Sequence, residues 1–165
     1  MSQRRPSERG ELLELTPRTR GWAAAAAAQA AGQAGEAERL YRGLMADEPE
    51  SAELCLYHLG VLAEERRDFE AADELYGQAE ARRVERLGAG AASGADQLLL
   101  RIRMGIIGVL DQMGEADTAE KLCWKVVAVQ EAVLGAGHPD TLRSQMTLAN
   151  FAAAAVAIDE TVSFC

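Results

Sequence analysis

A Gly, an Ala five residues on and a bulky residue four further along occur as Gly32/Ala37/Tyr41 and again as Gly114/Ala119/Cys123. A third copy, Arg67/Ala72/Tyr76, keeps the spacing with an Arg in the glycine's place, and Leu59-Gly60 precedes it where a helical hairpin needs a close contact. A small residue on each helix lets two backbones approach, the large residue fills the space beyond them, and the Gly or Asp-Phe segment reverses the chain. Each hairpin buries only part of its apolar face, so neighbours must stack to bury the rest. The spacing therefore predicts an all-α array of helical hairpins.

The pattern resembles the tetratricopeptide repeat (TPR), a two-helix unit of roughly 34 residues with small and large residues at fixed places. Unit 1 supplies Gly32, Ala37, Tyr41, Leu44 and Pro49; unit 2 supplies Leu59, Gly60, Ala63, Ala72, Tyr76 and Ala79. Unit 3 supplies Gly114, Ala119, Cys123 and Val126, with Ile106, Ile107 and Leu110 in its first helix. Units 1 and 2 are offset by 35 residues and units 2 and 3 by 47, and Leu148-Ala149 lies 42 residues after Ile106-Ile107. That last period, with its Leu134-Gly-Ala-Gly-His-Pro-Asp-Thr-Leu142 connection, resembles the longer TPR variety of kinesin light chains. Leu87-Gly-Ala-Gly90 reads as the same connection one unit earlier. The chain departs from the kinesin light chain type where that family commonly shows paired Asn and this chain has Met146-Thr147, so cargo specificity does not carry over.

The resemblance implies a right-handed superhelix of antiparallel hairpins, three repeats plus a terminal helix. The units are about 18–51, 52–94, 95–138 and a half unit 139–156, between tails 1–17 and 157–165. Glu11 to Leu15 is a candidate short helix that docks on unit 1. Leu142 to Val156 forms the terminal helix, with Leu148, Phe151 and Val156 apolar and no second helix to cover them. Terminal repeats normally need a polar outer face, so this helix is expected to act as an Ala-rich cap or to recruit a partner or a second copy.

At 165 residues the chain suits one domain, a size that buries about 68–70% of its unfolded surface. Apolar residues make up 48% of it, but many are Ala, which buries little area; the core should be thin. A net charge of −9 argues against nucleic acid. Arg82, Arg83 and Arg86 cluster at a helix end, diluted by Glu80 and Glu85, and read as a solvated terminus.

Three Cys without metal-ligand spacing fit a reducing compartment. Cys123 takes a core place, Cys55 lies in a first helix of a hairpin and Cys165 ends the chain. The Ala23 to Ala31 stretch is too weakly hydrophobic to span a bilayer, and no hydrophobic signal core opens the chain. Arg-rich residues 1–20 are balanced against a transit peptide by Glu8, Glu11 and Glu14, which leaves the cytoplasm as the default location.

His138-Pro139-Asp140 matches the J-domain tripeptide but falls in an inter-repeat connection. There Pro139 suits the first turn of a helix, and Asp140 or Thr141 is placed to satisfy free amides. Gly88 to Gly94 resembles a phosphate loop without the preceding strand or the following Lys-Ser/Thr, and reads as a linker. Glu64-Glu65 has no nucleophile, oriented His or metal set nearby. These residues predict neither enzyme nor cofactor site.

What remains is a groove. In TPR arrays the first helices of the hairpins line the concave surface, and the resemblance implies that Trp22, Tyr57, Met104 and Met146 form a ladder of large side chains there. Ala26, Val61, Gly108 and Asn150 form the floor between them. Arg101 and Arg143, with Thr19 and Leu54, give one rim; Glu64, Glu65 and Asp111 give the other. Aromatic and Met side chains suit binding surfaces. A protein or peptide segment with apolar anchors and both charge signs is the expected partner. TPR domains that clamp the C-terminal carboxylate of heat-shock chaperones use Lys and Asn where this chain has Trp22, Ala26 and His58, and Arg101 alone fits. The function expected is a non-catalytic adaptor or assembly factor. The alternatives are a small chaperone resembling those of type III secretion, which share the size and acidity, or a self-assembling unit joined through its terminal helix.

Overall fold

The computed structural model describes residues 17–88 and 96–162. Its α-helices are α1 (Pro17–Ala30), α2 (Ala34–Asp47), α3 (Ala52–Glu65), α4 (Phe69–Leu87), α5 (Gln97–Gln112), α6 (Ala116–Leu134) and α7 (Pro139–Val162), with a 3-10 turn Pro49–Ser51 ahead of α3. No strand occurs among the described residues. Each helix packs on the next, and α3 also meets α5, so α1–α2, α3–α4 and α5–α6 are stacked hairpins followed by α7. The expected docking helix over Glu11 to Leu15, most of the Gly88 to Gly94 linker and Cys165 lie outside the described residues.

All three hairpins close alike. The N–H groups of Gln33, Asp68 and Glu115 donate to the carbonyls of Ala28, Ala63 and Leu110 at 2.9, 2.9 and 2.8 Å, the bond that ends a helix when the preceding residue is left-handed. Those preceding residues are Gly32 (φ 71°), Arg67 (φ 60°) and Gly114 (φ 85°). Arg67 thus adopts the glycine conformation its place in the pattern demands, with its guanidinium 5.6 Å from the centre of the Phe69 ring. The connection read twice in the sequence begins alike: Gly88 has φ 76°, ψ 159° and Gly135 has φ 88°, ψ 155°, a region that only glycine occupies freely.

Helix starts follow ordinary capping chemistry with one correction. Asp68 Oδ1 accepts from the Ala71 N–H at 3.2 Å, and Asp96 Oδ1 from the Leu99 N–H at 2.8 Å. For α7, Asp140 and Thr141 were the expected caps; instead His138 Nδ1 accepts from the Asp140 N–H at 3.2 Å. Pro139 fixes the first helical position, which puts the cap one residue earlier and leaves Asp140 to pair with Arg143 at 3.0 Å. Thr141 is buried, and its hydroxyl has no hydrogen-bond partner.

The repeat places Ala37/Tyr41/Leu44, Ala72/Tyr76/Ala79 and Ala119/Cys123/Val126 are all buried. They anchor three successive core clusters, the first around Tyr41, Cys55 and Leu62, the second around Tyr76, Ile102 and Val109, the third around Cys123, Ile107 and Phe151. Burial pushes the Cys55 thiol up to about 11, as befits a thiol acting as a small apolar side chain.

The terminal helix departs from expectation in two ways. It runs past Val156 to Val162, because Ala-rich sequence continued by Ala157 and Glu160 holds no helix breaker. Phe151, read as uncovered, is buried in the third cluster with Leu148 packed beside it. Among the described residues of α7, the large apolar side chains that are exposed are Leu142 (47%) and Met146 (69%).

The arginines at the end of α4 are not simply solvated. Arg83 pairs through both guanidinium arms, at 3.0 and 2.5 Å, with Asp96, the residue that caps the start of α5. Arg86 Nε lies 2.9 Å from Glu53 Oε1 and its Nη1 donates to the Glu50 carbonyl. Glu80 turns to Arg103 of α5 at 2.7 Å rather than to its neighbours.

Candidate functional site

The first helices of successive hairpins, α3 and α5, together with α7, wall a cavity of about 570 Å³. α3 contributes Tyr57, Val61 and Glu64; α5 contributes Gln97, Leu100, Arg101, Met104 and Gly105; α7 contributes Asp140, Arg143 and Ser144. Tyr76 reaches it from α4, and Gln130 with Leu134 close it from the end of α6.

Tyr57, Val61, Arg101, Met104 and Arg143, with the rim residue Glu64, all expected in the groove, therefore line one space. The rim and floor residues Thr19, Ala26, Leu54, Glu65 and Asp111 do not line it, nor do Trp22, Gly108, Met146 and Asn150. Trp22 packs into the first core cluster, its ring 5.9 Å from Tyr41 and 6.0 Å from His58. The expected ladder fails at that end because His58 occupies the step between unit 1 and Tyr57. It stacks on Tyr41 at 4.8 Å and 5° and meets Tyr57 edge-on at 5.4 Å. Gly108 is half-buried beside the cavity, facing Glu64. Met146 and Asn150 lie exposed on α7, outside the cavity walls.

Packing at the cavity base follows from two glycines. A Cβ on Gly60 would fall 2.6 Å from the Tyr76 ring, and one on Gly105 would fall 2.7 Å from it. The Tyr76 ring is thus clasped between α3 and α5, and its hydroxyl donates to Glu64 Oε2. In unit 1 the same twelve-residue separation joins the Tyr41 hydroxyl to Gln29 Oε1 at 3.0 Å. Sequence reading did not link these pairs, although a polar residue twelve places ahead of each repeat Tyr is visible in it. It also passed over Gly105, whose cost inside a helix signals a close approach, and over Gln130 and Ser144, whose places in the wall depend on how α6 and α7 meet.

Charges in the cavity are unevenly compensated. Arg143 is tied to Asp140, while Arg101 is exposed at the rim. Burial raises the Glu64 carboxyl above its usual range, against the lowering effect of the Tyr76 hydrogen bond. Burial, then the Glu64 hydrogen bond, raises the Tyr76 phenol, so it stays a neutral donor. Burial, and next the Arg101 charge, lowers the His58 imidazole. Gln130 is buried in the wall, and its Oε1 accepts no hydrogen bond. Among the described residues no His, Cys, Asp and Glu group is arranged to hold a metal ion, and no helix is long and apolar enough to cross a membrane.

Comparison with known proteins agrees with this architecture. Residues 108–140 match the tetratricopeptide repeat family. Crystal structures of kinesin light chain-like, nearly identical TPR-like repeats from Podosopora anserina superpose on the chain with TM-scores of 0.65 and 0.63, both at 24% identity. The first match, a point variant of those repeats, covers 93% of this chain and 74% of its own; the second covers 92% and 75%. No curated protein matches the sequence. Residues 108–140 are thus a tetratricopeptide repeat, and the chain as a whole has the TPR-like helical repeat fold.

Proposed function

We propose that this protein is a non-catalytic interaction module that holds a partner segment in the groove between α3, α5 and α7, as a cytoplasmic adaptor or assembly factor. TPR repeats generally mediate protein–protein interaction. The observation that carries the reading is the cavity itself: Tyr57, Leu100 and Met104 offer apolar anchorage beside Arg101, Arg143 and Glu64 in one space open to solvent. Adaptable apolar side chains ringed by charges of both signs suit an extended segment better than a small metabolite.

Replacing Tyr57→Arg together with Met104→Glu puts two charges into the apolar wall. The double variant is expected to keep the helical circular dichroism of the parent and to lose capture of partner segments by more than about tenfold, as for central anchors of an interface. Undiminished capture by the folded variant would overturn the groove assignment. Because Tyr57 touches Tyr76 and His58, Arg101→Glu at the exposed rim serves as the variant that leaves packing alone.

A second reading, self-association through α7, is favoured by the exposure of Leu142 and Met146 one turn apart on its outer face. Met146→Glu should then shift the sedimentation profile toward the monomer at high concentration; an identical profile removes this reading.

A further inference from the structure

Glu64 is a half-buried carboxylate without a counter-ion. One oxygen, Oε2, accepts the Tyr76 hydroxyl. Among the described residues no Lys, Arg or His pairs with Glu64: Arg143 is held by Asp140, Arg101 lines the same cavity from its exposed rim without an ion pair to Glu64, and the exposed acid next along, Glu65, accepts from Gln29. Burying a carboxylate unpaired is costly, which is the reason its proton is held more firmly than usual.

The second oxygen faces Gly108 of α5, where a Cβ would stand 3.6 Å from Oε1 at ordinary contact distance and a side chain longer than Ala would crowd it. Tyr57 and Val61, on the same helix α3 as Glu64, line the cavity with it. A carboxylate oriented by a clasped Tyr, an aromatic face and a glycine beside the second oxygen together describe a receptor for a positively charged side chain: the ring attracts the cation, Val61 covers its methylene stem, and Glu64 pairs with its head.

We propose that Glu64, oriented by Tyr76 and left uncrowded by Gly108, is the subsite for a Lys or Arg side chain of the partner segment. The subsite rests on the groove reading and gives the partner a definite chemistry: an extended segment with a basic residue set among apolar ones. In unit 1 the corresponding oxygen belongs to the neutral Gln29, and in unit 3 the corresponding Asp111 is exposed and the place of the orienting Tyr is taken by Cys123, so only the middle unit combines an acid with a Tyr that orients it.

The test uses the full chain, immobilised, and a synthetic library of decapeptides degenerate at every position, with the retained pool sequenced. The wild type should enrich Lys and Arg about tenfold at one register relative to apolar anchors, the size of a charge-assisted hydrogen bond. Glu64→Gln keeps an acceptor for Tyr76 and should erase the basic preference while retaining the apolar selection. Glu85→Gln removes the same charge from an exposed acid on α4 outside the cavity and should leave the preference intact, which separates a subsite from general attraction to a chain of net charge −9. A basic preference that survives Glu64→Gln, one that Glu85→Gln removes equally, or apolar selection without any basic position overturns the subsite and leaves the groove standing. No selection at any position, in a wild type that is folded, overturns the groove reading and the subsite with it.

Discussion

Tyr76→Ala is expected to cost about 4 kcal/mol of unfolding free energy, the range for removing a buried aromatic side chain. The ring is 1% exposed, sits at the centre of the second core cluster and is clasped by Gly60 and Gly105. Those glycines cannot move in to refill the space, because neither has a side chain to contribute. The variant also strands Glu64 without its donor. Against a total stability of roughly 5–15 kcal/mol for a domain, that loss should be visible as a large drop in the urea midpoint. Tyr76→Phe isolates the hydroxyl and should cost about 1 kcal/mol. A Tyr76→Ala loss no larger than that of Tyr76→Phe would mean that the helices do not depend on the ring for their spacing.

The second large effect is expected on the opposite side of the same hairpin. Glu53 lies in the first turn of α3, where the helix N-terminus favours an acid, and it is 2% exposed. Its compensation is the Arg86 charge at 2.9 Å, an electrostatic contact, since Glu53 Oε1 takes no directed hydrogen bond. Arg86→Ala leaves the carboxylate buried without its ion-pair partner, with only the Arg83 charge, itself engaged by Asp96, acting on it. Loss of one partner of a fully buried pair costs about 3–5 kcal/mol, but the Arg86 side chain is 44% exposed. Water entering its place reduces the expected loss to about 2 kcal/mol. The neighbouring Arg82→Ala should cost almost nothing, as expected for an exposed side chain. In the double variant Arg86→Ala/Glu53→Leu more than half of the lost stability should return, because the unpaired charge has gone. Equal losses for Arg82→Ala and Arg86→Ala, measured by equilibrium denaturation, would contradict this account.

What the sequence revealed and what it concealed divide along one physical line. Places governed by the backbone and by local size were legible: the left-handed turn was recognisable even where Arg67 replaced glycine, and the nine buried positions of the Ala, large-residue and following apolar sites were identified by spacing. Places governed by contacts between hairpins were not. Trp22 and Tyr57 are equivalent in register, yet the next hairpin presents His58 to the ring cluster containing Trp22 and glycine at Gly105 to the ring of Tyr76. Both pack against their clusters, but Tyr57 alone of the two also lines the cavity. Phe151 followed the same logic: nothing local in α7 says that its ring turns back into the third cluster. The pairing of Arg86 with Glu53 rather than with Glu85 likewise depended on where α3 begins relative to the end of α4.

The three clusters are joined by few side chains. Met45 and Leu75 pack against both the first and the second, and Leu110 and Leu122 against both the second and the third. Cooperativity in this molecule is therefore carried by two narrow seams, and loosening either one would let the hairpins on one side open while the rest remained closed. Such a chain is expected to melt in segments, and hydrogen exchange should find the middle hairpin, bounded by both seams, the last to exchange its amide protons.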